Sequence, residues 1–256
     1  MLLGPDEPEP VSTYNTDGKS QFLLVADHAG NYIPRALGRL GLTEADCKRH
    51  IAWDIGIAGL AQLLADELDA MLIRQNYSRL VIDCNRPLDA IASIPAISED
   101  TKIPGNANMN HQDRANRVRE IFRPYHAQIE AELDRRQHAG GPTALIALHS
   151  FTPVFRGIHR PWHAGLLYNR DRRFGQQLMT LLNADDDLLV GDNEPYIVSD
   201  ATDYTIPVHG ERRGLPHVLM EIRQDLINDE IGQREWALRL GCLLPKAYES
   251  LSCGRE

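Results

Sequence analysis

Side chains that can do chemistry follow nearly every apolar run of this sequence. Two of them are histidines, His28 after the run 21–26 and His149 after the run 144–148. Asp54, at the start of a helical pattern, is a third candidate. Zinc in hydrolases takes three protein ligands from His, Asp or Glu and keeps one position for water. His28, Asp54 and His149 are therefore candidate metal ligands.

Other interpretations are open for two of these residues. Asp54 is also typical of a helix N-cap, and His149 equally suits a core histidine that is bonded to a backbone carbonyl. The sequence has no local HxxH or HExxH motif. The metal hypothesis therefore depends on residues that converge only in the folded protein.

Glu221 and Arg223 lie two residues apart in the apparent strand 218–223, so their side chains face the same side. A carboxylate in a buried strand is unfavourable unless it is paired or used. One interpretation is an ion pair between Glu221 and Arg223. The other makes Glu221 a general base whose pKa is raised by burial. Arg223 or His209 would then stabilise the oxyanion, although His209 equally suits a loop cap.

The segment 83–87 shows a similar pattern, with Asp83 and Asn85 on one side and Arg86 at the start of a loop. An arginine fork beside an amide suits bidentate binding of a carboxylate substrate. The chain has 27 basic and 36 acidic residues and a net charge of −9, so it needs a local cation to bind a small acid. The alternative is a surface loop that Arg86 holds in place.

A different chemistry would use Cys84 as a nucleophile with His28 or His149 as its base. Cys84 lies between two polar residues and points to the face opposite them. Anionic neighbours also raise the pKa of a thiol instead of lowering it. Motifs for nucleotide cofactors and the GxSxG motif of serine hydrolases are absent from the sequence. Metal-assisted hydrolysis is the preferred interpretation.

Composition defines the class of protein. Hydrophobic residues make up 43% of the 256 residues, which is enough for a sizeable core. The negative charge argues against nucleic acid or an anionic membrane as the partner and favours a small molecule. No apolar run reaches the length of about 18–20 residues that a membrane span needs. An acidic N-terminus unlike a signal peptide and four cysteines without a CxxC pair predict a reduced, cytoplasmic protein.

Strands and helices alternate along the chain. Apolar runs that predict strands occur at 21–26, 71–73, 80–82, 144–148, 164–168, 188–190 and 217–220. Helical patterns start at Asp54 and at Asn110, where Asp113 completes a cap, and two more cover 171–183 and 229–250. Apolar strands between helices indicate an α/β fold with a mainly parallel sheet that is buried on both faces.

The chain shows no internal repeat or composition break. We expect a loose N-terminal arm at residues 1–19, a single domain at 20–256, and a long loop at 86–110. Ligands of such sheets bind beyond the carboxyl ends of the strands. The polar residues after the apolar runs are therefore predicted to form the rim of one active site.

Several of these strand-end segments together resemble the N-formylglutamate amidohydrolase family. They read DHAGNYIP at 27–34, DIG at 54–56, SRLVIDCNRP at 78–87, LHSF at 148–151 and EIRQD at 221–225. The resemblance covers roughly residues 20–245. It implies a phosphorylase/hydrolase-like three-layer α/β/α sandwich related to zinc carboxypeptidases. It also implies zinc-assisted hydrolysis of N-formyl-L-glutamate to formate and glutamate, late in histidine degradation.

The resemblance assigns roles by position. It implies one zinc ion held by His28, Asp54 and His149, with Glu221 as general base and Asn85 and Arg86 holding the substrate carboxylate. The related carboxypeptidases have a glutamate ligand three residues after the first histidine. Asn31, a poor zinc ligand, occupies that place here, so the third ligand must come from elsewhere.

The first segment reads DHAGN, whereas members devoted to histidine degradation tend towards PHSG. The chain therefore resembles a shorter, less characterised branch of the family. Other N-acyl amino acids are alternative substrates, with residues 86–110 and 151–165 lining the substrate end. Binding of an acidic metabolite without catalysis is the alternative function.

Overall fold

The structure is a computed structural model that describes residues 1–253. Its strands are β1 (Val11–Tyr14), β2 (Phe22–Ala26), β3 (Met71–Gln75), β4 (Ile97–Ser98), β5 (Thr101–Lys102), β6 (Ala144–Phe151), β7 (Val154–Phe155), β8 (Ile158–His159), β9 (Ala164–Leu167), β10 (Val190–Asp192) and β11 (His217–Arg223). Its α-helices are α1 (Glu44–Cys47), α2 (Ile57–Leu68), α3 (Pro104–Ala107), α4 (His111–Arg117), α5 (Arg123–His138), α6 (Arg173–Leu182) and α7 (Glu230–Cys253). Two π-helical segments are Val118–Phe122, between α4 and α5, and Ile206–Glu211.

Seven strands form one sheet in the order β1-β3-β2-β6-β11-β9-β10. The four central strands β3, β2, β6 and β11 are parallel to one another. Strand β9 is antiparallel to β11, and β10 is parallel to β9. The predicted mainly parallel sheet is confirmed.

The sheet is covered on both faces. On β6, Ile146 and Leu148 pack into the core that includes α2, α6 and α7. Leu145 and Ala147 pack into the opposite core, which includes α5 and both π-helical segments. These layers confirm the predicted α/β/α sandwich. His149 is the next β6 residue on the face of Leu145 and Ala147, so alternation along the strand aims it towards the α5 side.

The N-terminal segment contains more order than predicted. Within the expected loose arm at residues 1–19, β1 pairs antiparallel with β3 and forms one edge of the sheet. Its sequence, VSTY, contains the β-branched and aromatic residues that suit an edge strand.

The run 80–82 is a buried turn, although its apolar character predicts a strand. The Leu80 carbonyl accepts from Asn106 Nδ2 at 2.8 Å and the Val81 carbonyl accepts from Arg117 Nη1 at 2.8 Å. Side chains thus replace the partners that a neighbouring strand would supply. The predicted loop 86–110 also contains local structure, namely the ribbon of β4 and β5 and the short helix α3.

The predicted helices are present. Asn110 caps α4, because its Oδ1 accepts from the Asp113 backbone N–H at 2.8 Å. Within residues 1–253, no helix combines the length and the apolar character that a membrane span requires.

Candidate active site

Two imidazoles and one carboxylate converge at the carboxyl edge of the central strands. His28 follows β2, His149 lies in β6, and Asp54 precedes α2. The two Nδ1 atoms of the histidines are 3.1 Å apart, and Asp54 Oδ2 lies 3.0 Å from His149 Nδ1 and 3.4 Å from His28 Nδ1. All three side chains are buried. The structure thus brings together the three predicted metal ligands.

The outer nitrogen of each histidine bonds to a further buried carboxylate. His28 Nε2 donates to Asp83 Oδ1 at 2.7 Å, and His149 Nε2 donates to Asp27 Oδ2 at 3.0 Å. Since an ionised carboxylate only accepts, each Nε2 carries a hydrogen, and a cation held by the two Nδ1 atoms and Asp54 would take the place of any proton between them. Thr205 Oγ1 in turn donates to Asp27 Oδ1 at 2.6 Å.

This donor set fits a zinc ion. Ligand atoms at about 2.0–2.1 Å from a tetrahedral zinc ion lie about 3.4 Å from one another, close to the 3.0–3.4 Å separations in this cluster. Carboxylates on the outer nitrogens are the usual partners of zinc-bound histidines. Burial acts to lower the pKa of His149, but its hydrogen bonds to Asp27 and Asp54 outweigh burial and raise that pKa well above its usual value. The same negative surroundings favour a bound cation.

The alternatives for Asp54 and His149 do not hold. The N-cap position of α2 belongs to Gly56, whose φ of 83° lies in the left-handed region. Asp54 Oδ2 instead accepts from the Ser150 backbone N–H at 3.1 Å. Within residues 1–253, the ring nitrogens of His149 contact the carboxylates of Asp54 and Asp27 and no backbone carbonyl.

Arg79 is a site residue that the sequence did not reveal. Its Nη2 and Nε donate to Asp83 Oδ2 at 2.7 and 3.1 Å, and its Nη1 lies 3.4 Å from Asp54 Oδ1. Its side chain lines the cavity above the cluster. Arg79 directly precedes the run 80–82, and only the turn that this run adopts brings the guanidinium to Asp83.

Glu221 lies beside His149 in the parallel register of β11 and β6. Its Oε2 is buried and has no hydrogen-bond partner in the part of the chain that the structure describes, and the residue lines the cavity. Burial raises the pKa of Glu221 to about 7. This carboxylate is therefore suited to accept a proton near neutral pH. It forms no ion pair with Arg223, whose Nε donates to Asp225 Oδ1 at 2.8 Å.

A cavity of about 460 Å³ opens above the cluster. Arg86 lines it, and its Nη1 donates to the Thr202 carbonyl. Its Nε lies 3.9 Å from Asp83 Oδ2, a loose contact that leaves the guanidinium accessible to a ligand. The predicted role of Arg86 in substrate binding is compatible with this position.

Asp83 and Asn85 also line the cavity, but their polar atoms have protein partners. Asp83 holds His28 and Arg79. Asn85 Nδ2 donates to Asp203 Oδ1 at 3.2 Å, and its Oδ1 accepts from the backbone N–H groups of residues 204 and 205 at 3.1 and 3.0 Å. The structure therefore gives both residues a positioning role in place of the predicted substrate contact.

Neither Arg223 nor His209 is brought to the cavity. Arg223 bonds to Asp225 and, at 3.2 Å, to the Pro161 carbonyl. His209 is buried, with its Nε2 3.0 Å from His126 Nδ1. The predicted oxyanion role does not fit either residue. Alternation along a strand fixes the face of Arg223 but not the direction of a long side chain at the strand end.

Cys84 does not fit the role of a nucleophile. It is fully buried, and its Sγ accepts from Gln75 Nε2 at 3.6 Å. Burial raises the pKa of its thiol well above the usual value. A neutral, enclosed thiol cannot attack a substrate in the cavity.

The chain matches a known protein family over most of its length. The family model described as N-formylglutamate amidohydrolase matches residues 20–228. The chain belongs to this family. The match covers β2 to the end of the short helix Gln224–Leu226 and therefore includes every residue of the cluster.

The chain is also similar to individual proteins. The gene product Atu2144 of Agrobacterium tumefaciens is 34% identical, with a TM-score of 0.95 over 98% of this chain and 100% of its own. The fold is also similar to that of N-formylglutamate amidohydrolase from Ralstonia eutropha, at 18% identity, a TM-score of 0.66 and coverage of 94% and 98%. N-formylglutamate deformylase of Pseudomonas putida is 28% identical over 145 residues. That alignment spans about half of each protein, 52% of this chain and 52% of the relative.

Proposed function

We propose that this protein is a zinc-dependent amidohydrolase that cleaves the amide C–N bond of an N-acyl amino acid. The observation that carries the proposal is the cluster of two Nδ1 atoms and one Oδ2 atom with separations of 3.0–3.4 Å. N-formyl-L-glutamate, the substrate in the family name, is the best candidate and would yield formate and L-glutamate. The predicted cytoplasmic location and role in histidine degradation belong to the same proposal.

Each residue of the site has a task in this reaction. His28, Asp54 and His149 would hold the metal, which supplies Lewis-acid polarisation of the scissile carbonyl and of water. Glu221 accepts the proton of the attacking water at Oε2 and passes it to the leaving nitrogen.

Two arginines have the remaining roles in the proposed reaction. The Arg79 guanidinium, fixed by Asp83, faces the cavity and stabilises the negative charge that develops on the carbonyl oxygen, in place of Arg223 or His209. Arg86 holds the substrate carboxylate.

The direct test is hydrolysis of N-formyl-L-glutamate by the zinc-loaded protein with and without a chelator. The proposal expects release of glutamate that stops when the chelator removes the metal. Glutamate release at the same rate in the presence of the chelator would exclude the metal mechanism. Binding without release would favour the non-catalytic alternative.

A substitution tests the role of Glu221 as the general base separately from metal binding. Glu221→Gln should lower turnover at least about a hundredfold while the zinc content stays at one equivalent. Glu132→Gln is the matched control, because Glu132 is equally buried, at 6% exposure, but lies on α5 and pairs with Arg136. Equal turnover in both variants would remove Glu221 from the mechanism.

A further inference from the structure

The partly exposed side chain of Tyr196 lines the cavity above the cluster. The chain reaches this position at the end of a row of paired residues, His149 on β6, Glu221 on β11 and Gly165 on β9. A Cβ atom at Gly165 would meet the Glu194 carbonyl oxygen at 1.8 Å. Since paired residues on neighbouring strands point to one face, the backbone two residues before Tyr196 lies on the face that carries the Glu221 side chain. Tyr196 thus enters the cavity on the side of the proposed general base.

Arg160 holds the phenol of Tyr196 from outside the cavity lining. Its side chain is buried, and its Nη1 donates to Tyr196 Oη at 2.9 Å. Its guanidinium carbon also lies 4.7 Å from the centre of the Tyr196 ring and 4.6 Å from that of Phe155. A fixed cation therefore orients the phenol and occupies one lone pair of its oxygen.

The phenol O–H of Tyr196 is left as a donor without a protein acceptor. Among the described residues, the one hydrogen bond of Tyr196 Oη is the bond that it accepts from Arg160. Burial and the negative charge of Glu221 raise the pKa of Tyr196, although Arg160 and Arg79 act to lower it. The hydroxyl therefore keeps its proton at neutral pH. A hydrogen bond received from a cation also polarises the O–H group and strengthens it as a donor.

We propose that the Tyr196 hydroxyl donates a hydrogen bond to the scissile carbonyl oxygen as negative charge develops on it, and that Arg160 is the positioning residue for this donor. In the proposed function, on which this inference rests, Glu221 is the base and Arg79 faces the same oxygen. Arg79 and Tyr196 line one cavity from separate segments, after β3 and after β10. Fixed donors aimed at one developing charge stabilise it most in the transition state. Tyr196 keeps its proton throughout, because Glu221 carries the proton of the water to the leaving nitrogen.

Steady-state kinetics on zinc-loaded Tyr196→Phe test the role of the hydroxyl. Loss of one oxyanion donor lowers kcat by about 100–1000-fold, so we expect a fall of about 100-fold on N-formyl-L-glutamate while KM changes less than about threefold. A raised KM with an unchanged kcat would overturn the assignment, because the hydroxyl would then bind the ground state only. Unchanged values of both would overturn it as well. Melting curves and zinc content show whether the fold and the metal site are intact.

Tyr168→Phe is the matched control. Tyr168 directly follows β9, its hydroxyl donates to Asp192, and it lies outside the cavity lining. Both kcat and KM should stay unchanged in this variant.

A double-mutant cycle tests Arg160. Arg160→Met alone should lower kcat about 10-fold, because the hydroxyl remains but loses its fixed direction. Combined with Tyr196→Phe it should cost less than about a further twofold, since Arg160 acts only through the hydroxyl. Arg160→Lys keeps a charged donor and should recover part of the loss, and it replaces Arg160→Met in the cycle if that variant does not fold. A double variant that shows the product of the two single losses would contradict the positioning role.

A binding measurement separates failure of this inference from failure of the proposed function. The probe is N-phosphono-L-glutamate, whose tetrahedral, negatively charged phosphoryl group imitates the oxyanion. In titration calorimetry on zinc-loaded protein, Tyr196→Phe should bind it about 30-fold more weakly, the range of a hydrogen bond to a charged group. This loss, together with no glutamate release by the unmodified protein, would remove the hydrolysis of N-formyl-L-glutamate but keep the Tyr196 donor. Equal binding to both proteins, or no binding to either, would overturn the assignment of Tyr196 even if glutamate is released.

Discussion

The structure contains two buried histidine pairs with nearly equal separations and opposite surroundings. His28 and His149 approach through Nδ1 atoms 3.1 Å apart, and His126 Nδ1 lies 3.0 Å from His209 Nε2. Carboxylates flank the first pair. The outer nitrogen of the second pair, His126 Nε2, instead bonds to the Cys84 carbonyl at 2.8 Å.

The surroundings determine the charge that each pair prefers. Burial and Arg79 act to lower the pKa of His28, but Asp83 and Asp54 outweigh them and raise it. In the second pair burial dominates and lowers the pKa of His126 to about 4 and that of His209 to about 3. One pair is built for a cation and the other for two neutral rings joined by a hydrogen bond. Proximity of histidines alone would not distinguish them.

The two pairs should differ most in zinc content and turnover when one histidine of each pair is replaced. His149→Ala should lose the metal and at least about a thousandfold in turnover, because a ligand and the Lewis acid disappear together. His209→Gln should keep one equivalent of zinc and turnover within about threefold. Zinc analysis and kinetics on the purified proteins measure both effects. A full equivalent of zinc in His149→Ala would contradict the proposal that this pair, and not His126 and His209, holds the metal.

Asp27→Asn should have the next largest effect. The amide oxygen still accepts from His149 Nε2, but the negative charge is lost, so zinc affinity should fall about 10–100-fold. Competition with a chromogenic chelator gives the affinity. Asp134→Asn, a change on the outer surface of α5, should leave it unaltered. Unchanged affinity in Asp27→Asn would mean that the charge of this carboxylate does not support the site.

Lowering the pH should have a smaller effect, on the free energy of unfolding. His209 stays neutral in the folded protein, whereas in the unfolded chain it gains a proton below about pH 6.5. Because the folded pKa is the lower one, the free energy of unfolding falls as the pH drops from about 6.5 towards 3. At pH 5.5 the loss is about 1 kcal/mol for one such histidine.

Urea unfolding at pH 7.5 and 5.5 measures this loss in metal-free protein. The drop in unfolding free energy should be smaller by that amount in His209→Gln, whose side chain does not titrate but can still donate to His126. Identical drops in both proteins would show that His209 is not held neutral by the fold.

Cys84→Ala should have the smallest effect. The backbone carbonyl that bonds to His126 remains, and the thiol takes no part in the reaction, so kcat/KM should stay within about twofold. Steady-state kinetics provide the check. A loss of turnover as large as that of Glu221→Gln would restore the cysteine mechanism.

Much of the site could be predicted from the sequence because strand periodicity is a strong constraint. It indicated that His149 and Glu221 lie near the ends of buried strands, and the structure shows that these two strands are neighbours with the two residues side by side. The same alternation held an unused signal. Leu23, Val25 and Asp27 share a face, which is the side of the sheet on which His149 also lies.

The remaining residues depend on tertiary contacts. The role of Arg79 follows from a turn that looks like a strand in the sequence, because side chains from α3 and α4 satisfy its carbonyls. Such long-range contacts leave no periodic pattern, and the same limit explains the wrong prediction for Arg223.

The pairing of Glu221 with His149 has a consequence for how the enzyme can change. Both residues belong to central strands, which open only in the rarest fluctuations of a domain, whereas short surface ribbons open far more often. The spacing between the proposed base and the proposed metal ligand is therefore fixed by the backbone hydrogen bonds between β6 and β11, and mutations in the ribbon of β7 and β8, which contributes Phe155 to the cavity wall, can change that wall without disturbing this spacing. In hydrogen exchange, the amides of β6 and β11 should be the last to exchange, and the ribbon that leads to Arg160 among the first.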